Sequence, residues 1–110
     1  MLAAIPQSRL RRKATPVRLV ISFTAEPGKA AELAAAMKER CLTSAKDAGC
    51  RQFEVFQSVL DPQNFALLEL WEDQAALDAH AKLQAARPPV PDGLRQGGGA
   101  REDYTYNRTR

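Results

Sequence analysis

From Val17 the chain alternates, with Val17, Leu19, Ile21 and Phe23 on one side and Arg18, Val20, Ser22 and Thr24 on the other. That period of two predicts a first strand over 17–25. Glu26-Pro27-Gly28-Lys29 stops it, and the period then changes: Ala30, Leu33, Ala34, Met37, Cys41, Ala45 and Ala48 recur at intervals of three and four. This predicts an amphipathic helix over about 30–47, with Gly49 as its C-terminal stop. Cys50 to Leu60 alternates again, placing Phe53, Val55 and Val59 opposite Glu54, Phe56, Ser58 and Leu60. The turn residues Asp61-Pro62-Gln63-Asn64 separate it from a mostly apolar run, Phe65 to Glu72. So short a connection predicts an antiparallel hairpin. Asp73 is placed to cap a second helix, Gln74 to about Ala86, with Ala76, Leu77, His80 and Leu83 as its inward stripe.

After Arg87 the pattern breaks down. Seven of the chain's 13 prolines and glycines fall between Pro88 and Gly99, which predicts a loop over 87–99, mobile in part. Alternation returns over 101–109, through Tyr104 and Tyr106, as a last strand. The order β, α, β, β, α, β predicts an α+β, ferredoxin-like βαββαβ domain with two helices on one face of a four-stranded antiparallel sheet. Two helices cover only one face. The third strand is apolar on both, with Phe65, Leu67 and Trp71 at odd positions and Ala66, Leu68 and Leu70 at even ones. A sheet with two apolar faces calls for a second cover, and the simplest is the same face of another copy, giving a homodimer packed sheet on sheet.

Composition adds little to this picture, but charge changes it. One domain fits 110 residues with 45% hydrophobic content. The formal charge is +3, yet residues 1–18 hold Arg9, Arg11, Arg12, Lys13 and Arg18 without an acid. The remaining residues hold 11 bases and 13 acids, so the folded body is slightly acidic. A basic arm over 1–16 therefore precedes a domain over 17–110, and nucleic-acid binding by the body loses its support. Pro6 and Pro16 interrupt any helix in that arm. With no membrane-length apolar run and no secretory pattern, the expectation is a cytoplasmic protein that does not engage a membrane. Two cysteines and one histidine do not lay out a metal site.

The segments Glu26-Pro27-Gly28-Lys29, Gly49-Cys50, Asp61-Pro62, Glu69-Leu70-Trp71-Glu72 and Ala76-Leu77-Asp78-Ala79-His80, in this order, resemble the antibiotic biosynthesis monooxygenase (ABM) domain family over about 17–84. The resemblance implies a dimeric α+β barrel and, in several members, oxygenation of quinols or polycyclic phenols by O₂ with no cofactor, neither metal nor flavin. A dry cavity that promotes deprotonation of a phenol lets the phenolate itself reduce oxygen, so the protein supplies orientation, desolvation and a base. Trp71 matches the family's third-strand tryptophan and His80 a second-helix histidine of small quinol-type members. Members acting on polyketide phenols carry Asn and Tyr where this chain has Leu67 and Leu77. Haem-degrading relatives carry Asn where this chain has Ile21.

These residues give a candidate site. His80, the single histidine, is the candidate catalytic base, because imidazole takes up and returns protons near neutral pH. Trp71 is a candidate stacking wall for a planar ligand. Glu69 shares a strand face with Phe65, Leu67 and Trp71, so it must be paired or protonated if buried, and it is a candidate anchor for a phenol hydroxyl. Tyr104 and Tyr106 are further candidates for lining the cavity. The expected function is oxidation of a small aromatic or quinol-type ligand by O₂. A non-catalytic dimeric ligand-binding or stress-associated protein of the same fold, or a small-metabolite isomerase, are the alternatives.

Overall fold

The computed structural model describes residues 15–105. Its elements run β1 (Val17–Thr24), α1 (Ala30–Ser44), β2 (Cys50–Gln57), β3 (Asn64–Trp71), α2 (Gln74–Ala85) and β4 (Ala100–Thr105). The sheet order is β2-β3-β1-β4 and every neighbouring pair is antiparallel, which is the ferredoxin-like arrangement. The register pairs Leu19 with Glu69, Ile21 with Leu67 and Phe23 with Phe65. Odd-numbered side chains of β1 and β3 therefore share one face, and the helices cover it.

The core lies between that face and the helices. Leu33 and Met37 of α1 and Leu77 of α2 are buried with Leu19, Phe23, Phe53, Phe65, Leu67 and Trp71. Each large side chain buried here contributes about 1.5–3 kcal/mol. Phe23 and Phe65 stack with ring centroids 5.5 Å apart, so the cross-strand pair also fixes the end of the sheet away from Trp71.

Several boundaries differ from the sequence pattern for local polar reasons. The second strand stops at Gln57 instead of Leu60, because the Ser58 hydroxyl accepts hydrogen bonds from the Leu60 and Asp61 N–H groups and turns the chain. Val59 and Leu60 are left 97% and 94% exposed at the hairpin tip. The first helix ends at Ser44, where residues 45–49 form turns, and Gly49 takes φ +79°. Its expected apolar stripe therefore stops short, with Ala45 and Ala48 exposed. Asp73 caps α2 as expected, accepting from the Ala76 N–H at 2.8 Å. Leu83 is 51% exposed, so the inward stripe of α2 is Ala76, Leu77 and His80 without it.

The Pro/Gly segment is pinned at its centre. Leu94 is buried, Arg95 bridges Ala25, the Glu26 N–H donates to the Leu94 carbonyl, and the Gln96 N–H donates to the Thr24 carbonyl. Most of the basic arm, together with Tyr106 and the predicted end of the last strand, lies outside the described residues.

Candidate active site

Three elements build the site. On β3, Glu69 and Trp71 stand two residues apart and so point to the same face. The Trp71 indole N–H donates to Glu69 Oε1 at 2.9 Å, inside the core. On α2, His80 comes down on this pair, its ring 4.5 Å from the Trp71 ring and 5.4 Å from that of Phe53. The third element is the turn after α1, where Asp47 meets the outer side of the imidazole. Its Oδ2 is 2.7 Å from His80 Nδ1.

The turn holds Asp47 firmly. Its N–H donates to the Ser44 carbonyl and its carbonyl accepts from the Cys50 N–H. Next along, the backbone of Gly49 lies against α2, where a Cβ would come within 2.5 Å of the Ala76 Cβ. From the end of α2, Arg87 donates to both Asp47 oxygens, at 2.9 Å and 2.6 Å. This two-pronged contact, more than the histidine, holds the Asp47 carboxyl below the usual carboxylate range, so Asp47 is ionised.

An ionised carboxylate only accepts hydrogen bonds, so the proton of the neutral imidazole resides on Nδ1 and Nε2 is left as the basic nitrogen. Among the described residues no side chain or backbone group bonds to Nε2, nor to the second oxygen of Glu69. None of the described buried side-chain nitrogen or oxygen atoms lacks a partner. Both free atoms are therefore accessible, and both residues line a cavity of about 410 Å³ between sheet and helices. Its walls are apolar at Leu19, Ile21, Met37, Phe53 and Leu67, and polar at Arg40, Gln74, Asp78, Gln84, Arg95 and Arg101. Burial pushes the Glu69 carboxyl above its ordinary range, against the pull of the Trp71 N–H and the charges of His80 and Arg101. A buried carboxyl that shares a cavity with a free imidazole nitrogen can hold a hydroxyl group while the imidazole removes its proton.

Two expected ligand contacts are corrected. Trp71 is fully buried and does not line the cavity, so it cannot be a stacking wall. It lies one layer behind, supporting His80 and tethering Glu69. Tyr104 pairs with Arg18 on the opposite face of the sheet, is 50% exposed and donates its hydroxyl to Glu102, so it stands away from His80 and Glu69. Asp47, Arg87 and the cavity arginines carry no mark in the sequence pattern. Asp47 sits in a helix-ending stretch that reads as ordinary solvated polarity, and nothing local ties it to a residue 33 positions later. Among the described residues no group of three His, Cys, Asp or Glu side chains is arranged to hold a metal ion, and no helix is long and apolar enough to cross a membrane.

Residues 16–87 match the profile of the family described as Antibiotic biosynthesis monooxygenase. No curated protein matches the chain. Among solved structures, a Pseudomonas aeruginosa protein is 28% identical with a TM-score of 0.73, the match covering 86% of this chain and 97% of that one. A Shewanella oneidensis protein is 26% identical with a TM-score of 0.72, over 86% and 93% of the two chains. A Nitrosomonas europaea protein, provisionally named an antibiotic biosynthesis monooxygenase, shares the fold at 16% identity and a TM-score of 0.73, over 86% and 92%.

Proposed function

Since the chain belongs to the antibiotic biosynthesis monooxygenase family, we propose that it oxidises a small phenolic or quinol-type aromatic with O₂, using His80 as the base. One observation carries this reading. His80 and Glu69 line the same cavity, while His80 Nδ1 is held by Asp47 and leaves Nε2 as the basic nitrogen. Glu69 binds a substrate hydroxyl, and Nε2 takes the phenolic proton. Asp47, backed by Arg87, stabilises the imidazolium that results.

The chemistry balances without another reductant. The phenolate supplies the electrons that reduce O₂, one oxygen atom becomes bonded to the ring, and the other leaves as water. A quinol and O₂ thus give a hydroxyquinone and water. The apolar walls lower the polarity around the phenolate and its oxygen adduct.

The test is an oxygen-electrode assay over a panel of quinols and phenols. Substrate-dependent O₂ uptake that falls by about 100-fold or more in His80→Gln is expected, the scale of a lost general base. No uptake with any member, or equal uptake by the variant, overturns the proposal.

The even face of the sheet supports a homodimer as the working form. Ala66, Leu68, Leu70 and Val20 are only half-buried there, with no helix above them, and Phe56 and Tyr104 are exposed on it. A second copy packed on this face covers them and leaves each cavity on the outer side of its own sheet. Light scattering after size exclusion gives twice the chain mass, and Leu68→Asp gives the monomer mass. A monomeric wild type contradicts the dimer.

A further inference from the structure

The register of the sheet separates two chemically different ends of the cavity. Glu69 pairs with Leu19, and His80 lies at that end. Phe23, four residues further along β1 and so about 13 Å away, lies at the other, where the Arg95 guanidinium sits 5.4 Å from its ring centroid. Arg40 of α1 lines the same cavity. Burial, and then the charges of Arg95 and Arg87, lower the pKa of Arg40.

Neither Arg40 nor Arg95 is in an ion pair among the described residues. The Arg40 side chain makes one long hydrogen bond, 3.5 Å to the Pro88 carbonyl. The third cavity arginine differs, since Arg101 is bound by Asp103 through two hydrogen bonds. Arg40 and Arg95 thus face one cavity with no ion-pair partner, while the carboxylates that also line it, Glu69 and Asp78, are held by the Trp71 and Gln74 side chains. An arginine pair of this kind matches a planar anion, which would gain charge-assisted hydrogen bonds.

We propose that the substrate is an aromatic carrying an anionic substituent, held by Arg40 and Arg95 while its hydroxyl lies at His80 and Glu69. The inference rests on the monooxygenase reading for the hydroxyl end and adds a substrate class to it. The anion also orients the ring, because charge binds at one end and proton removal occurs at the other.

The test compares gentisate with its uncharged amide, gentisamide, by anaerobic calorimetric titration, so that binding is read without turnover. Wild type is expected to bind gentisate at least tenfold more tightly, with a preference that shrinks as salt is raised. The double variant Arg40→Gln/Arg95→Gln removes the preference, weakening gentisate binding far more than gentisamide binding. Should the double variant not fold, Arg95→Gln alone serves, since that side chain is exposed and is expected to reduce the preference several-fold. Equal binding of the two compounds by wild type overturns the inference, as does a preference that survives the substitutions. Failure of O₂ uptake alone overturns the monooxygenase reading and leaves this binding result standing.

Discussion

His80 Nδ1 and Asp47 Oδ2 lie 2.7 Å apart although 33 residues separate them. That contact decides which nitrogen of the imidazole faces the cavity as a base. It exists because Gly49 lets the turn after α1 close against α2. Replacing Asp47 by Asn keeps the shape but allows the amide to donate to Nδ1, which selects the opposite tautomer. We expect Asp47→Asn to lower kcat by about 10- to 100-fold, a part of what a general base supplies, with KM changed much less. Steady-state kinetics of O₂ uptake check this, and a change confined to KM would place Asp47 in binding.

The same carboxylate makes stability depend on pH. Arg87, and to a smaller degree His80, hold the folded-state pKa of Asp47 below its ordinary 3.8. A lowered carboxylate pKa stabilises the fold above the unfolded-state value, and the contribution disappears as the pH falls through the folded one. Wild type should therefore exceed Asp47→Asn in stability at pH 7 by about 1.5–3 kcal/mol, the scale of hydrogen bonds to a charged group. The difference shrinks as the pH falls below 3.8. Urea unfolding across a pH series measures it.

Glu69 has the opposite sign. Burial raises its pKa above the ordinary 4.5, so the folded state binds the proton more tightly than the unfolded chain does, and stability falls as the pH rises through that window. Gln at this position is neutral and keeps an oxygen to accept from the Trp71 N–H. Glu69→Gln is therefore expected to melt higher than wild type at pH 7, with the gap closing as the pH falls toward 4.5. Differential scanning calorimetry at several pH values reads both.

Much of this architecture was legible in the sequence. The period of two through Leu19, Ile21 and Phe23, the switch to three and four at Ala30, and the Asp73 cap located the elements to within a few residues. Glu69 and His80 could be singled out because each is a polar group on an apolar face. Their surroundings could not. Whether an indole faces ligand or protein depends on how deeply α2 seats on β3, and depth leaves no period in a sequence. The face of β4 that carries Tyr104 is set by its pairing with Arg18, across a Pro/Gly segment that hides the register. Asp47 and Arg87 meet only after the helices have packed.

Gly49 connects folding to the site. Its φ of +79° is unfavourable for any residue with a side chain, and the Ala76 Cβ occupies the space that one would need. Gly49→Ala is expected to cost about 2 kcal/mol or more, from the strained backbone and the displaced turn. It should lower activity as well, because Asp47 moves with the turn. Gly28→Ala is the control, since a Cβ there meets nothing within 4 Å and leaves only the strain of φ +76°. Denaturant midpoints of the two variants separate strain from steric displacement.

In the proposed reaction a phenolic substrate gives its proton to His80 and its electrons to O₂ in this cavity. Turnover of an oxidised panel member under ¹⁸O₂, followed by mass spectrometry of the product, tests it most directly. Wild type is expected to give one labelled oxygen atom per product molecule, and His80→Gln to form product about 100-fold or more slowly. A product without label, or one formed equally fast by the variant, would contradict it.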